Sequence, residues 1–417
     1  MSTLRETLDN AAPFAEMFTG PSGHSLLPGG FGRAMFAVAP RTPMAVRGCG
    51  CYLRDDAGRT VIDLNNNFTS QIHGNAHPEV TEAIQKAAAE GTSFGLPNMH
   101  EIEHASLMLS RLRYMDQIRY TNSGTEAVML AVRLSRAATG RDKVVFVQNA
   151  YHGHSDVALI PGGPKSRRGI PQHVIDDTIE IGINDHVGLA EAFAGHGDKI
   201  AAVIIDTLPN RAGLIAVTEA FWQDARELTS RHGAVLVSDE VISLRLAYDG
   251  AGKSLGAAPD LMAMGKIIGA GLPVGAVTGR ADLMGLLNSL QGGLEHGGTT
   301  AANPVTMAAG IATMRLYPAA EVDRLNRLGE RVRTTLGAAL DQHGWEVRGG
   351  GSLFRLFPKG TTPQEAREQQ VSVWWEAYER GIFLGQNTMG ALSTPMTDDI
   401  VDDIIDRVAD AVANLEN

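Results

Sequence analysis

Cysteine is the scarcest residue type here: in 417 residues it occurs twice, at Cys49 and Cys51. Two thiols so close together cannot usefully staple a fold, and two are too few for a zinc site. A disulfide-built or zinc-built domain is therefore excluded, and a reduced, cytoplasmic compartment is expected. Basic charge is also in deficit, with 36 Lys and Arg against 47 Asp and Glu and a formal net charge of −11. A nucleic-acid binder needs a basic face, so no nucleic-acid partner is expected. No apolar run approaches the ~18 residues of a membrane-spanning helix. The start, Met1-Ser-Thr-Leu-Arg-Glu-Thr-Leu-Asp9, lacks the charged opening and apolar core of a signal peptide. No membrane association is expected. Low-complexity stretches and internal repeats are missing too.

What is there reads as an ordinary globular protein, 44% apolar and 20% charged. The length exceeds a usual single core and predicts a large domain with a smaller one. Glycine, at 47 residues, fits many tight turns or a backbone that approaches a ligand closely. The middle alternates short apolar runs with amphipathic segments. The runs are Lys143 to Val147, Ile200 to Ile205, Ala234 to Val237 and Val274 to Val277; the segments include Thr125 to Ala138 and Thr218 to His232. That alternation predicts an α/β fold with a mainly parallel sheet covered on both faces. Such sheets bind ligands at the carboxyl ends of their strands. The flanks differ. Residues 1 to about 60 are loop-rich, with Pro28-Gly-Gly30 and Pro40, and then comes a hairpin-like pair, 50–54 and 60–64. Helices are expected from Pro304 to Leu316, from Glu321 to Gln342 and from Asp398 to about Leu415, with a strand at Leu353 to Phe357. Both flanks read as one small domain.

Lys266 lies between glycines after an apolar run, in Met264-Gly-Lys266-Ile-Ile-Gly269. A lysine amine desolvated among small and apolar residues can form a Schiff base with an aldehyde. Upstream, the run from Ala234 ends in Asp239-Glu240, and a carboxylate opposite such a lysine can keep a pyridine nitrogen protonated. Gly265-Lys266 resembles part of a phosphate-binding P-loop. However, that loop needs Gly at 260 and Ser or Thr at 267, where Asp260 and Ile267 stand. Ser123-Gly124-Thr125-Glu126 fits a helix capping box, and equally offers amides and hydroxyls to an anion at a helix N-terminus. Tyr151 either packs or stacks on a flat heterocycle. His152 and His154 lack a third metal ligand at suitable spacing, so no metal is expected. His296-Gly-Gly-Thr299-Thr300 is a further turn rich in small residues and hydroxyls.

Asn122-Ser-Gly-Thr-Glu-Ala127, Tyr151-His-Gly153, Ser238-Asp-Glu-Val241, Gly265-Lys-Ile-Ile-Gly269 and Gly297-Gly-Thr299 stand in the order seen in class III aminotransferases dependent on pyridoxal 5'-phosphate (PLP). The resemblance covers nearly the whole chain, including Gly74-Asn-Ala-His-Pro78 and Thr92-Ser-Phe-Gly95. It is nearest the branch of glutamate-1-semialdehyde aminomutase and the beta-phenylalanine aminotransferases. What it implies is PLP fold type I: a large domain with a seven-stranded, mainly parallel sheet between helices, and a small α+β domain from both termini. The expected division is 1–65, 66–308 and 309–417. It implies Lys266 as the Schiff-base lysine and Asp239 on the pyridine nitrogen, with Val241 and Tyr151 on the two ring faces. Ser123, Gly124 and Thr125 would hold the phosphate. Thr299 would reach the phosphate of a neighbouring subunit, in a homodimer with shared sites.

The chain also departs from the family. Asp206-Thr207 stands where Glu-Pro is usual, and Gln386-Asn-Thr388 carries neither the aminomutases' acid nor the beta-amino-acid enzymes' arginine. At Phe68 the aminomutases carry a tryptophan. Arg33 falls where the beta-phenylalanine enzymes bind a substrate carboxylate, which a guanidinium grips through two parallel hydrogen bonds; it equally reads as a solvated surface residue. Arg33 and Phe68 are thus the expected substrate contacts, and Arg245, His296 and Asn387 are weaker ones. The expected activity is ping-pong transfer of an amino group from an amino acid or amine to a carbonyl acceptor. The alternative is an aminomutase or an amino-acid epimerase.

Overall fold

The computed structural model describes residues 27–28, 32–33 and 42–416. The loop reading at Gly30 and Pro40 lies outside the described residues. Strands β1 (Ala45–Cys49), β2 (Tyr52–Asp55) and β3 (Thr60–Asp63) form the expected hairpin with one strand added. Then follow β4 (Gln117–Thr121), β5 (Lys143–Val147), β6 (Thr178–Ile181), β7 (Ile200–Ile205), β8 (Val235–Asp239), β9 (Leu261–Gly265) and β10 (Gly275–Gly279). These make one seven-stranded sheet in the order β4-β10-β9-β8-β7-β5-β6. Its central ladders are parallel, and β10 runs antiparallel to both of its neighbours.

Alternation along these strands sends side chains to two separate cores, as the period of two in an extended chain requires. Val144, Phe146, Ala202, Ile204 and Val237 pack with Leu130 and Leu134 on one face. Val145, Val147, Val203, Ile205 and Leu236 pack with Phe193, Phe221 and Trp222 on the other. Both faces are covered, so the strands read as unbroken apolar runs. The principal helices are α1 (Pro78–Glu90), α2 (Met99–Arg111), α3 (Gly124–Thr139), α4 (His186–His196), α5 (Glu219–His232), α6 (Pro304–Arg315), α7 (Ala319–Asp341), α8 (Pro363–Glu379) and α9 (Asp398–Ala413). Helix α3 covers the first face; α4 and α5 cover the second. Helix α8 starts with a reciprocal capping box between Thr362 and Glu365.

Beyond the large sheet, β11 (Trp345–Gly350), β12 (Leu353–Pro358), β13 (Ile382–Phe383) and β14 (Met389–Ala391) complete two small sheets. β13 pairs in parallel with β3, Ile382 opposite Ile62, so the two ends of the chain share one sheet. A third core runs from Met108 and Met264 through Met307 and Leu325 to Trp374 and Val408. It bonds the small sheets and their helices to the α2 side of the large sheet. Helices α1, α2, α4 and α8 and strand β6 were not foreseen from the sequence.

Candidate active site

Four parallel strands of the large sheet end beside one cavity, where such sheets present ligand-binding groups. Its volume is about 420 Å³, within the usual range for small-molecule sites. After β5 come Tyr151, His152 and Gly153; after β7, Asp206; at the end of β8, Asp239 and then Val241; after β9, Lys266. The turn from β4 into α3 adds Asn122 to Thr125, and Arg33, Asn67 and Phe68 close the outer side.

Lys266 has φ +52°, a left-handed conformation that costs an L-residue roughly 1–2 kcal/mol. The turn thereby aims its amine back over the strand ends. Burial pushes that amine down to about 8, with Arg245 adding in the same direction against the pull of Asp239 and Asp206. A lysine so depressed is readily available as a neutral nucleophile or base. Asp239 is buried and receives two hydrogen bonds: Val241 N–H donates to Oδ1 at 3.1 Å and His152 Nδ1–H donates to Oδ2 at 2.6 Å. The second nitrogen of His152, Nε2, is buried with no hydrogen-bond partner among the described residues. Asp206 accepts from Leu208 N–H at 3.0 Å, and burial next to Asp239 raises its carboxyl to about 7.

The start of α3 is built for a close ligand. Ser123 caps it, its Oγ accepting from Glu126 N–H at 3.2 Å. The capping box is not closed, because the Glu126 carboxylate takes the Asn122 N–H at 2.8 Å instead. The Thr125 hydroxyl stays in the cavity, 3.2 Å from His154 Nδ1. Glycine is required at 124: a Cβ there would stand 2.7 Å from a Val241 methyl. Gly275 lets β10 pass beneath, since a Cβ there would meet the Ser123 carbonyl at 2.0 Å.

One feature of the wall has no counterpart in the sequence reading. Asn66, Asn67, Phe68 and Thr69 all have positive φ, between 48° and 71°, forming one left-handed turn. Left-handed turns of ordinary residues persist where surroundings over-determine them. Here Asp63 Oδ1 accepts from Asn65 and Asn66 N–H, Asn65 Oδ1 accepts from Phe68 N–H, and Asn66 Nδ2 donates to the Ala391 carbonyl. The result presents Asn67 and Phe68 to the cavity, with Arg33 Nη1 donating to Asn67 Oδ1 at 3.0 Å. The triple Asn65-Asn-Asn67 was the available signal, since asparagine tolerates this conformation.

Of the expected site residues, Lys266, Asp239, Ser123, Gly124, Thr125, Tyr151, Val241, Arg33 and Phe68 line this one cavity. Thr299 is exposed and outside its lining. Arg245, His296 and Asn387 are outside it as well. Arg245 is fully buried, donating from Nε to Ser352 Oγ at 3.0 Å and from Nη2 to the Leu392 carbonyl, so it anchors the fold. Glu240 is equally inward, accepting from Ala251 and Gly252 N–H. His152, weighed in the sequence only as a metal ligand, is instead the partner of Asp239. Among the described residues no cluster of three or more metal-ligating side chains occurs.

These donors fit PLP. A carboxylate lies at the floor, an aromatic and a branched apolar side chain flank the cavity, and a depressed lysine amine reaches into it. A helix N-terminus with two hydroxyls can take the single phosphate.

Known proteins are similar to this chain in sequence and fold. The family model for class-III aminotransferases matches residues 37–412. The glutamate-1-semialdehyde 2,1-aminomutase of Rhodopirellula baltica is 36% identical over 389 residues, covering 88% of each chain. Among solved structures, an omega-transaminase from Sphaerobacter thermophilus superposes with TM-score 0.91 at 38% identity, covering 98% of each chain. A beta-phenylalanine aminotransferase from Variovorax paradoxus gives 0.88 at 29% identity, over 99% of this chain and 96% of that one. With a matching model across most of its length, and with the lysine, carboxylate and anion turn at one sheet edge, this chain belongs to the class-III aminotransferase family.

Proposed function

We propose that this protein is a PLP-dependent transaminase that moves an amino group from an amino acid or amine to a carbonyl acceptor by a ping-pong mechanism. One observation carries the reading: Lys266, Asp239 and the Ser123–Thr125 turn face a single cavity at the strand ends. When bound, PLP supplies an aldehyde for reversible linkage to amines and a cationic ring that accepts the electrons left when a Cα–H bond breaks. Lys266 Nζ holds the cofactor at rest and, once freed, moves the proton from the substrate Cα. Asp239, oriented by His152, keeps the ring nitrogen protonated. Ser123, Gly124 and Thr125 bind the phosphate, and Tyr151 and Val241 hold the ring between them. Arg33 takes a substrate carboxylate and Phe68 packs against the rest of the substrate.

The same reading makes the molecule a cytoplasmic homodimer, with Thr299 serving the phosphate of the partner subunit. Its exposure outside this chain's own cavity supports that role. So do the exposed apolar residues Phe94, Leu96, Met99 and Ile102 near the start of α2. No helix among the described residues is long and apolar enough to cross a membrane. Division into 1–65, 66–308 and 309–417 is supported by the β3–β13 pairing of the two flanks.

An amino donor added to the purified holoenzyme should convert its yellow absorbance to that of the aminated cofactor, and an oxo acid should restore it. The second reading, an aminomutase, is favoured by the relative of that name. Product formed without an acceptor, and without net loss of donor amine, would establish it and overturn transamination.

A further inference from the structure

Three guanidinium groups gather around the loop 209–214, one of them against the ring of Tyr151. In the β11–β12 ladder Arg348 stands directly opposite Arg355, so two cations share one face. Like charges in that relation destabilise a sheet. Both lie 4.5 Å from the ring centre of Phe357. Arg348 has a carboxylate partner in Glu346. Arg355 has none among the described residues: Nε donates to the Asn387 carbonyl and Nη1 to the Asn210 carbonyl, each at 2.9 Å. Its Nη2 has no hydrogen bond among the described residues. Burial and the neighbouring Arg348 push its pKa down to about 10, the sign of a cation short of an anion.

The next residue along the loop extends this charge towards the cavity. Arg211, exposed and without a carboxylate partner among the described residues, lies 5.5 Å from the ring centre of Tyr151. Tyr151 lines the active-site cavity. Asn387 Nδ2 donates to Asn210 Oδ1 at 3.2 Å, so the loop and the segment before β14 hold Arg355 in place from both sides. A fixed guanidinium with spare donors, beside a second one, is the geometry that binds a carboxylate by paired charge-assisted hydrogen bonds.

We propose that Arg355, with Arg211 of the loop it bonds, forms a carboxylate subsite near Tyr151 that takes the distal carboxylate of a dicarboxylic oxo-acid acceptor. The proposal rests on the transaminase reading and names the acceptor class for it. The reacting carbonyl must lie at Lys266, which lines the same cavity as Tyr151. A monocarboxylic oxo acid engages Arg33 alone, and a second carboxylate reaches across to Arg355.

The test compares 2-oxoglutarate with pyruvate as acceptors for the aminated holoenzyme, in wild type, Arg355→Gln, Arg355→Lys and Arg211→Gln. Arg355→Gln should raise the KM for 2-oxoglutarate about ten- to a hundred-fold, with KM for pyruvate unchanged. Arg355→Lys should retain part of the discrimination, and Arg211→Gln should lose a smaller part. Arg211 is exposed, so its variant decides the matter if Arg355→Gln does not fold. Glutarate binding to the holoenzyme, followed calorimetrically, reads the subsite without turnover and should weaken by the same factor. Equal losses for both acceptors, or unchanged glutarate affinity in Arg355→Gln, would overturn the subsite. Absence of any donor half-reaction would instead sink the transaminase reading, while the glutarate measurement still decides this one.

Discussion

His152 Nδ1 lies 2.6 Å from Asp239 Oδ2, and both side chains are buried under the cavity floor. The carboxylate can only accept, so the imidazole donates from Nδ1. Its proposed contribution is orientation: it would leave Asp239 one fixed face for a ring nitrogen. His152→Ala should therefore lower kcat about ten- to a hundred-fold, the worth of a hydrogen bond to a charged group. The cofactor absorbance should also shift with pH over a different range in the variant. Loss of thermal stability with unchanged kcat would assign His152 to the fold alone.

Lys266 carries a cost in the cofactor-free protein. Its folded pKa of about 8 lies below the ordinary 10.5, so the unfolded chain binds the proton more tightly. The penalty is fully present below pH 8, shrinks as pH rises and vanishes above 10.5. Lys266→Met should make the apoprotein roughly 1–3 kcal/mol more stable at pH 7, while abolishing the yellow absorbance and the turnover. Thermal melts at pH 7 and pH 10 check the sign: the gain should shrink at the higher pH.

Gly124→Ala tests the cradle at the start of α3. The new Cβ would press on the Val241 methyls, forcing apart two elements that would flank the cofactor. Cofactor affinity, measured by titrating apoprotein, should fall at least about ten-fold, with a stability loss of about 1–3 kcal/mol from overpacking. Val241→Ala in the same chain should recover part of both.

Acid sensitivity follows from His104 and His73, each held by burial at about 4 against an ordinary 6.5. His104 donates from Nε2 to the Ile268 carbonyl at 2.8 Å and accepts the Tyr120 hydroxyl at Nδ1 at 2.7 Å, so its neutral form is built in. Unfolded chains take up the proton below about 6.5, so stability should fall as pH drops from 6.5 towards 4, by up to about 3 kcal/mol per residue. His104→Asn should be less stable at pH 7 yet show a flatter acid limb, with His73 still contributing to the remaining slope. An unchanged slope would refute the assignment.

Phe68 lines the main cavity and a second, largely apolar one of about 80 Å³ between Leu53, Val61, Trp374 and Phe383. Phe68→Ala should join the two. Donors with a larger apolar substituent should then gain about ten-fold in kcat/KM relative to small ones. A preference for small donors as strong as in the parent would show that the ring does not set the limit.

Most of the large sheet was legible because its strands are buried on both faces. Val144-Val-Phe-Val147 and Ala201-Ala-Val-Ile-Ile205 need nothing beyond apolar character to be read. Lys266, Asp239 and the Ser123 turn were legible because each sits at a strand end, Lys266 after a glycine, Asp239 in a carboxylate pair and Ser123 as a helix cap. Helices α1 and α2 escaped notice, their exposed faces being mixed and their packing against α6 a matter of residues some two hundred positions away. Within the site, the sequence by itself determined which groups are proposed to do the chemistry, for that proposal depends on side-chain type beside a strand end. Tertiary structure alone decided that His152 serves Asp239 rather than a metal, that Arg245 is an anchor, and that Asn66 to Thr69 wind left-handed. Those outcomes depend on which distant partner satisfies a buried polar group, and local spacing carries no record of that.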